Sequence, residues 1–250
     1  MKVISICNQK GGAGKTTTAA ALWGYLREKG KKILAVDMDG QHNLSFTAKA
    51  KESPSILGVL MGEVTAKAAI QHTPMGDIIP GVDMLSNADA LLEQSGKAGK
   101  EYRLKKALEP LAGEYEYCIL DTPPHLGVLI LNALTAAHDV IIPAQADIYN
   151  LQGIGQLIET VDTVREYCNP SLQVLGIALT RYNDRTNLSK DVKQTLTETA
   201  REMNLTVCNA TIREATAIKE AQAAGKSIIE YAPGAKVTAD YKALFDELNL

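Results

Sequence analysis

The chain has 250 residues, 46 % hydrophobic and 5 % aromatic, with a formal net charge of −3. That length suits one α/β domain or two small ones with a full apolar core, and the charge excludes a general basic field, so any nucleic-acid binding needs a local patch. Cys7, Cys118, Cys168 and Cys208 lie outside metal-ligand spacing, which excludes a zinc ribbon or CxxC site and fits a reducing cytosol.

In chain order, strands are predicted over 2–7, 33–37, 82–86, 117–121, 139–143, 174–180 and 206–211. Helical patterns fill 17–29, 101–111, 151–167 and 188–203. Repeated strand–helix units imply an α/β fold, a mostly parallel twisted sheet with helices on both faces, and one domain over 1–250. Residues 45–80 hold Pro54, Pro74 and Pro80 and are expected to be helical insertions and loops over one sheet edge. The apolar run after Lys2 is too short for a signal peptide, and no stretch reaches membrane-span length.

The first motif is Gln9-Lys10-Gly11-Gly12-Ala13-Gly14-Lys15-Thr16-Thr17-Thr18, between an apolar strand and the helix opening at Ala19. Glycines let backbone N–H groups converge on an anion, and the helix dipole adds positive charge. Gly11, Gly12, Ala13, Gly14, Lys15, Thr16 and Thr17 are therefore candidate phosphate contacts. Lys15 points at the β/γ-phosphates and the Thr16 hydroxyl can hold magnesium. The ordinary phosphate loop has glycine where this chain has Gln9, and lacks a lysine at the position of Lys10.

Next, Asp37 and Asp39 stand at the end of strand 33–37, two residues apart and so on one face. Alone they read equally as a solvated turn; beside a phosphate loop they read as ligands of a metal or a positioned water. Strand 117–121 ends in Asp121-Thr122-Pro123-Pro124, where a carboxylate can hold magnesium directly or through water. Lys97, Lys100, Arg103, Lys105 and Lys106 suit a solvated helix start better than a nucleic-acid face. His42, His72, His125 and His138 are scattered, and none is marked as a catalytic base.

Lys10-Gly-Gly-x-Gly-Lys15-Thr-Thr, Asp37-x-Asp39-x-Gln41-x-Asn43 and Asp121-Thr-Pro-Pro together resemble the deviant Walker A ATPases of the ParA/MinD/iron-protein group. Over residues 1–245 the chain resembles the small ParA/Soj-type partition ATPases. The resemblance implies that ATP and Mg²⁺ bind, with Thr16, Asp39 and Asp121 on the metal. It implies that Lys10, Lys15 and Asp39 are catalytic, with Lys10 reaching a partner's phosphates in an ATP-dependent sandwich homodimer and Asp39 positioning water. Asn183 falls where the family meets the adenine edge. Arg185 falls at a family DNA-backbone contact, and reads equally as a solvated loop arginine. The family's second DNA arginine is Ala217 here, with Lys219 the nearest substitute. Gly40 stands where the family has proline, which predicts a looser turn.

The function so implied is ATP hydrolysis to ADP and phosphate, driving cytoplasmic, nucleoid-associated partition of a plasmid or mobile element. Partners would be nonspecific DNA and a ParB-like or other small adaptor, with no membrane. With the first strand starting at residue 2, no N-terminal DNA-binding domain is expected. The alternatives are a ParA-like ATPase positioning a protein cargo, or a MinD-like membrane-cycling ATPase. The latter needs a basic amphipathic tail, whereas residues 240–250 are acidic and are expected to pack on the body. An iron protein needs a cysteine within 122–135, which holds none.

Overall fold

The computed structural model describes residues 1–94, 96, 98–147 and 149–250, without the side chains of 149–152 and 188; Lys97 lies outside the described residues. Seven strands form one sheet: β1 Lys2–Ile6, β2 Ile33–Asp37, β3 Gln71–Thr73, β4 Gly76–Ile79, β5 Tyr117–Asp121, β6 Asp139–Gln145 and β7 Gln173–Thr180, in spatial order β3-β4-β2-β5-β1-β6-β7. Among the described residues only β3 runs antiparallel to its neighbour.

Period-two alternation divides each central strand between two apolar layers. Val3, Leu34, Val36, Cys118 and Leu120 face one layer, with the helices Arg103–Leu108 and Val128–Ala136. Ile4, Ile6, Ile33, Ala35 and Ile119 face the other, with the helices Lys15–Glu28 and Lys236–Glu247. The acidic tail packs as expected: Val237, Tyr241, Leu244 and Phe245 are buried, and Tyr25 and Phe245 meet at 5.2 Å between ring centroids. Among the described residues no helix is long and apolar enough to cross a membrane.

Four sequence expectations are corrected. Residues 82–86 are not a strand, because Asp83–Asn87 is a 3₁₀ turn. The chain is diverted just before it, where the Pro80 carbonyl accepts from Ile56 N and Gly81 N donates to Ser45 Oγ. The ladder position beside β2 belongs to β4 instead, so 45–80 contributes a hairpin to the sheet as well as helices. Residues 206–211 give one bridge, Ile177 to Val207, since Glu247 takes the N–H groups of Asn209 and Ala210 at 2.8 and 2.9 Å. The helix expected over 101–111 is split into Lys100–Tyr102, Arg103–Leu108 and Glu109–Leu111, with Pro110 opening the last turn.

β1, β5 and β2 end together at one rim of the sheet. Asp37 pairs in register with Asp121, and Ile6 with Asp121 on the other side. The chain leaves β1 for β2 in one direction and later places β6 on β1's opposite flank. That is the crevice where open α/β sheets hold ligands.

Candidate functional site

The loop 9–14 runs from β1 into the helix Lys15–Glu28. Gly12 (φ 76°) and Gly14 (φ 93°) take left-handed backbone that other residues avoid. The loop is fixed from behind by its carbonyls: Gln145 Nε2 donates to Gly12 O and Thr180 Oγ1 to Ala13 O, both at 2.8 Å. Among the described residues, none accepts from the N–H groups of Gly11, Gly12, Ala13 or Gly14. The helix has no side-chain cap and no acid in its first turn. Its orphan donors and positive dipole end therefore stand unneutralised, ready for an anion.

Lys15 is buried and donates to the Lys10 carbonyl at 3.2 Å. Burial pulls its pKa below the usual lysine value, while Asp121 and Asp39 push it back up. Lys10 lies elsewhere: its ammonium pairs with Asp147 of the same chain.

Three carboxylates lie below the loop. Asp121 is fully buried, and neither of its oxygens makes a well-formed hydrogen bond. Burial and then Asp37 raise its pKa well above the carboxylate range; the Thr16 hydroxyl and Lys15 offset this only in part. A buried carboxylate without partners is costly. A divalent cation held between Asp121 and the Thr16 hydroxyl would supply the missing partner, so these residues fit magnesium. No cluster of three or more acidic, histidine or cysteine side chains forms a metal cage among the described residues. The cation would depend on phosphate oxygens for its remaining ligands, as magnesium commonly does.

Asp37 is instead satisfied internally. Ser45 donates to its Oδ2 from N (2.8 Å) and Oγ (2.7 Å), and Asp39 N donates to Oδ1 at 3.2 Å. Asp37 is thus a buried anchor for the turn that presents Asp39. Burial pushes its pKa up to about 6, above the unfolded carboxylate value near 4. The folded state therefore binds this proton more tightly, and Asp37's contribution to stability is full below about pH 4 and lost as pH rises through 6. Relative to wild type, the Asp37→Asn melting temperature should rise between pH 5 and pH 7. A difference that stays constant across that range would show that Asp37 does not titrate there in the folded state.

Gly40 lets the turn pack closely against the segment that follows β4. It is buried, and a Cβ there would lie 3.0 Å from Ser86 N. Glycine is needed for that close approach.

These groups border a cleft of about 630 Å³, the size of a small-molecule site. Gly11, Gly12, Gly14, Lys15, Thr16, Thr17 and Asp39 line it. Ala13 and Asp121 lie behind the lining. Asn183 is not in the lining: it is exposed, and its Oδ1 accepts from Arg185 N at 3.1 Å. Arg185 is exposed in that turn, outside any ion pair among the described residues. Lys219 lines the cleft from the helix Thr216–Ala224, so the two candidate DNA contacts occupy different places. Sequence reasoning missed Arg181, held at φ 49° just past β7, and Phe46, 74 % exposed at the cleft.

A family model described as an AAA domain matches residues 1–174. The sporulation initiation inhibitor protein Soj of Bacillus subtilis is 37 % identical over 96 % of each chain. The chromosome partitioning protein ParA of Myxococcus xanthus is 36 % identical over 99 % of this chain and 87 % of its own. Among solved structures, a Mycobacterium smegmatis protein described as cobyrinic acid a,c-diamide synthase, with bound ATP analogue and magnesium, is 36 % identical. It superposes at a TM-score of 0.86 over 98 % of this chain and 93 % of that one. Identity at this level, sustained from the phosphate loop to the tail helix, means that the chain belongs to the Soj/ParA family of partition ATPases.

Proposed function

We propose that residues 1–250 act as one Mg·ATP-driven partition unit that dimerises on nucleotide, binds DNA without sequence preference and releases it when an adaptor stimulates hydrolysis. The observation that carries this reading is the pairing of a loop rich in free N–H donors with a buried, unpartnered Asp121 beside Thr16. That pairing suits a polyanion carrying a divalent cation. The solved relative's bound ATP analogue and magnesium support the same ligands here.

Magnesium, when bound, would neutralise charge on the transferring phosphoryl group. Thr16, Asp121 and Asp39 would hold it. The loop N–H groups grip phosphate oxygens, and Lys15 lays its charge against the terminal ones. Asp39, borne on the Asp37-anchored turn, orients the attacking water. Lys10 acts across the dimer on the partner's phosphates.

A DNA face at Arg185 gains support from the helix Asn187–Glu202. Lys190, Lys193 and Arg201 fall on one side of that helix by their spacing, and none is in an ion pair among the described residues. The cargo of such a motor would be a plasmid or mobile element, and nucleoid association would follow from the DNA contact.

Filter binding with Mg·ATP tests this. Duplex retention should be sequence-independent, absent with ADP, and steeply salt-dependent. Arg185→Ala should weaken all sequences alike and flatten the log–log salt slope by about 0.9 per lost phosphate contact. If no duplex is retained at low salt, a protein cargo replaces DNA in this reading.

A further inference from the structure

We propose that residues 83–89 form a bracket that fixes the Asp39 turn relative to the Asp121 loop, with Asp83 and Asp89 as positioning residues for hydrolysis; this rests on the ATPase reading above. The two loops leave neighbouring strands whose last residues, Asp37 and Asp121, stand in register. The segment 83–89 touches both loops.

At one end, Asp83 Oδ1 meets His42 Nε2 at 2.8 Å. Ser86 sits against Gly40 so closely that a side chain there has no room, and the Asp83 carbonyl is 3.4 Å from the same point. Asp39 shares this turn, its Oδ1 accepting from Gln41 N at 3.0 Å. At the other end, Asp89 Oδ1 accepts from Val128 N at 2.8 Å. Its Oδ2 lies over Gly127, where a Cβ would stand 2.5 Å away. Gly127 precedes the helix Val128–Ala136 and offers no side-chain cap of its own. Asp89 therefore caps that helix from outside, satisfying an orphan N–H and favouring the positive dipole end.

The bracket is seated by its apolar side. Leu85, Ala88 and Leu92 are buried in the layer that holds Leu120 of β5 and Leu129 of the capped helix. Its polar side is exposed, with the Asp83 side chain 85 % accessible. A break at either end leaves the segment in place but uncouples one loop from the other. The consequence falls on the geometry of Asp39 over the terminal phosphate. Phosphate grip is untouched, because the loop 9–14 is fixed separately through Gln145 and Thr180.

The test compares wild type, Asp83→Ala, Asp89→Ala, Asp89→Asn and the double Asp83→Ala/Asp89→Ala in steady-state Mg·ATP hydrolysis. Asp89→Ala should lower kcat about tenfold and leave KM within about twofold, as expected when geometry and not binding is lost. Asp89→Asn still offers an oxygen to Val128 N and should recover most of the rate. The double variant should be little slower than the slower single one, because either break releases the bracket. A kcat for Asp89→Ala within about twofold of wild type, an Asp89→Asn as slow as Asp89→Ala, or losses that multiply would each overturn the bracket.

Amide hydrogen exchange separates this failure from failure of the ATPase reading. Asp89→Ala should speed exchange at 38–46 as well as at 122–130, and Asp83→Ala, at an exposed site, should speed it at 122–130. Changes confined to the mutated end overturn the bracket even if wild type hydrolyses nothing. Wild-type inactivity with transmitted exchange would instead sink the ATPase reading alone.

Discussion

Lys15→Ala should lower Mg·ATP affinity by a hundredfold or more, on the order of 3 kcal/mol, which is the scale of a charge-assisted contact in a water-poor site. The lysine is buried among Asp121, Asp39 and the Lys10 carbonyl, and burial already lowers its pKa. Its charge is thus held at a desolvation cost that a phosphate would offset. The other loop lysine does not stand in for it, because the Lys10 ammonium points away to Asp147. The substitution has a second effect, on Asp121. Lys15 is one of the two groups lowering that carboxyl's pKa, so the variant's Asp121 should protonate more readily, and cation binding should weaken along with phosphate binding. Calorimetry checks both: ATP titrated with and without magnesium should show wild type gaining from the cation and Lys15→Ala gaining little. Unchanged ATP affinity in a variant that keeps its circular dichroism would remove the phosphate-loop assignment.

The phosphate loop was legible because its chemistry is local. Glycines, two lysines and the following helix lie within ten residues, and the structure adds only which carbonyls are tied down from behind. The central strands were legible because each is buried on both faces and reads as a short apolar run. The sheet edge was not. β3 is Gln71-His72-Thr73, with no apolar side, and β4 is a four-residue run between Pro74 and Pro80. The segment 82–86 holds the apolar Val82, Met84 and Leu85, yet only Leu85 of it is buried while Met84 is 55 % exposed. Its value lies in contacts that no spacing shows. Asp83 and Asp89 read as ordinary solvated acids until the fold brings His42 and Val128 to them. Lys219 was placed by resemblance on a DNA face, and only the return of the helix Thr216–Ala224 puts it at the cleft. The same holds for Lys10 and Asp147, which are 137 residues apart in sequence.

Lys10→Ala should keep nucleotide affinity within about threefold of wild type and lose nucleotide-dependent dimerisation. Its ammonium and the Asp147 carboxylate are each about one-third exposed, at 35 % and 32 %, so solvent screens the pair and its worth is about 0–1 kcal/mol. A phosphate oxygen in a closing, water-poor interface offers a stronger charge-assisted bond. Exchange of Asp147 for a partner's phosphate is therefore favourable once two nucleotide-loaded copies meet, and in a single copy the lysine rests on its own chain. Alanine removes the cation that the interface would gain, and leaves the partner's phosphates facing each other less neutralised. Lys15, the loop N–H groups and Asp121 are untouched, which is why grip on nucleotide survives. Light scattering with a slowly hydrolysed ATP analogue should show dimers for wild type and monomers for Lys10→Ala at the same protein concentration. A normal dimer in the variant would assign Lys10 to its own chain's Asp147, and the dimer would then need another source of cross-subunit charge.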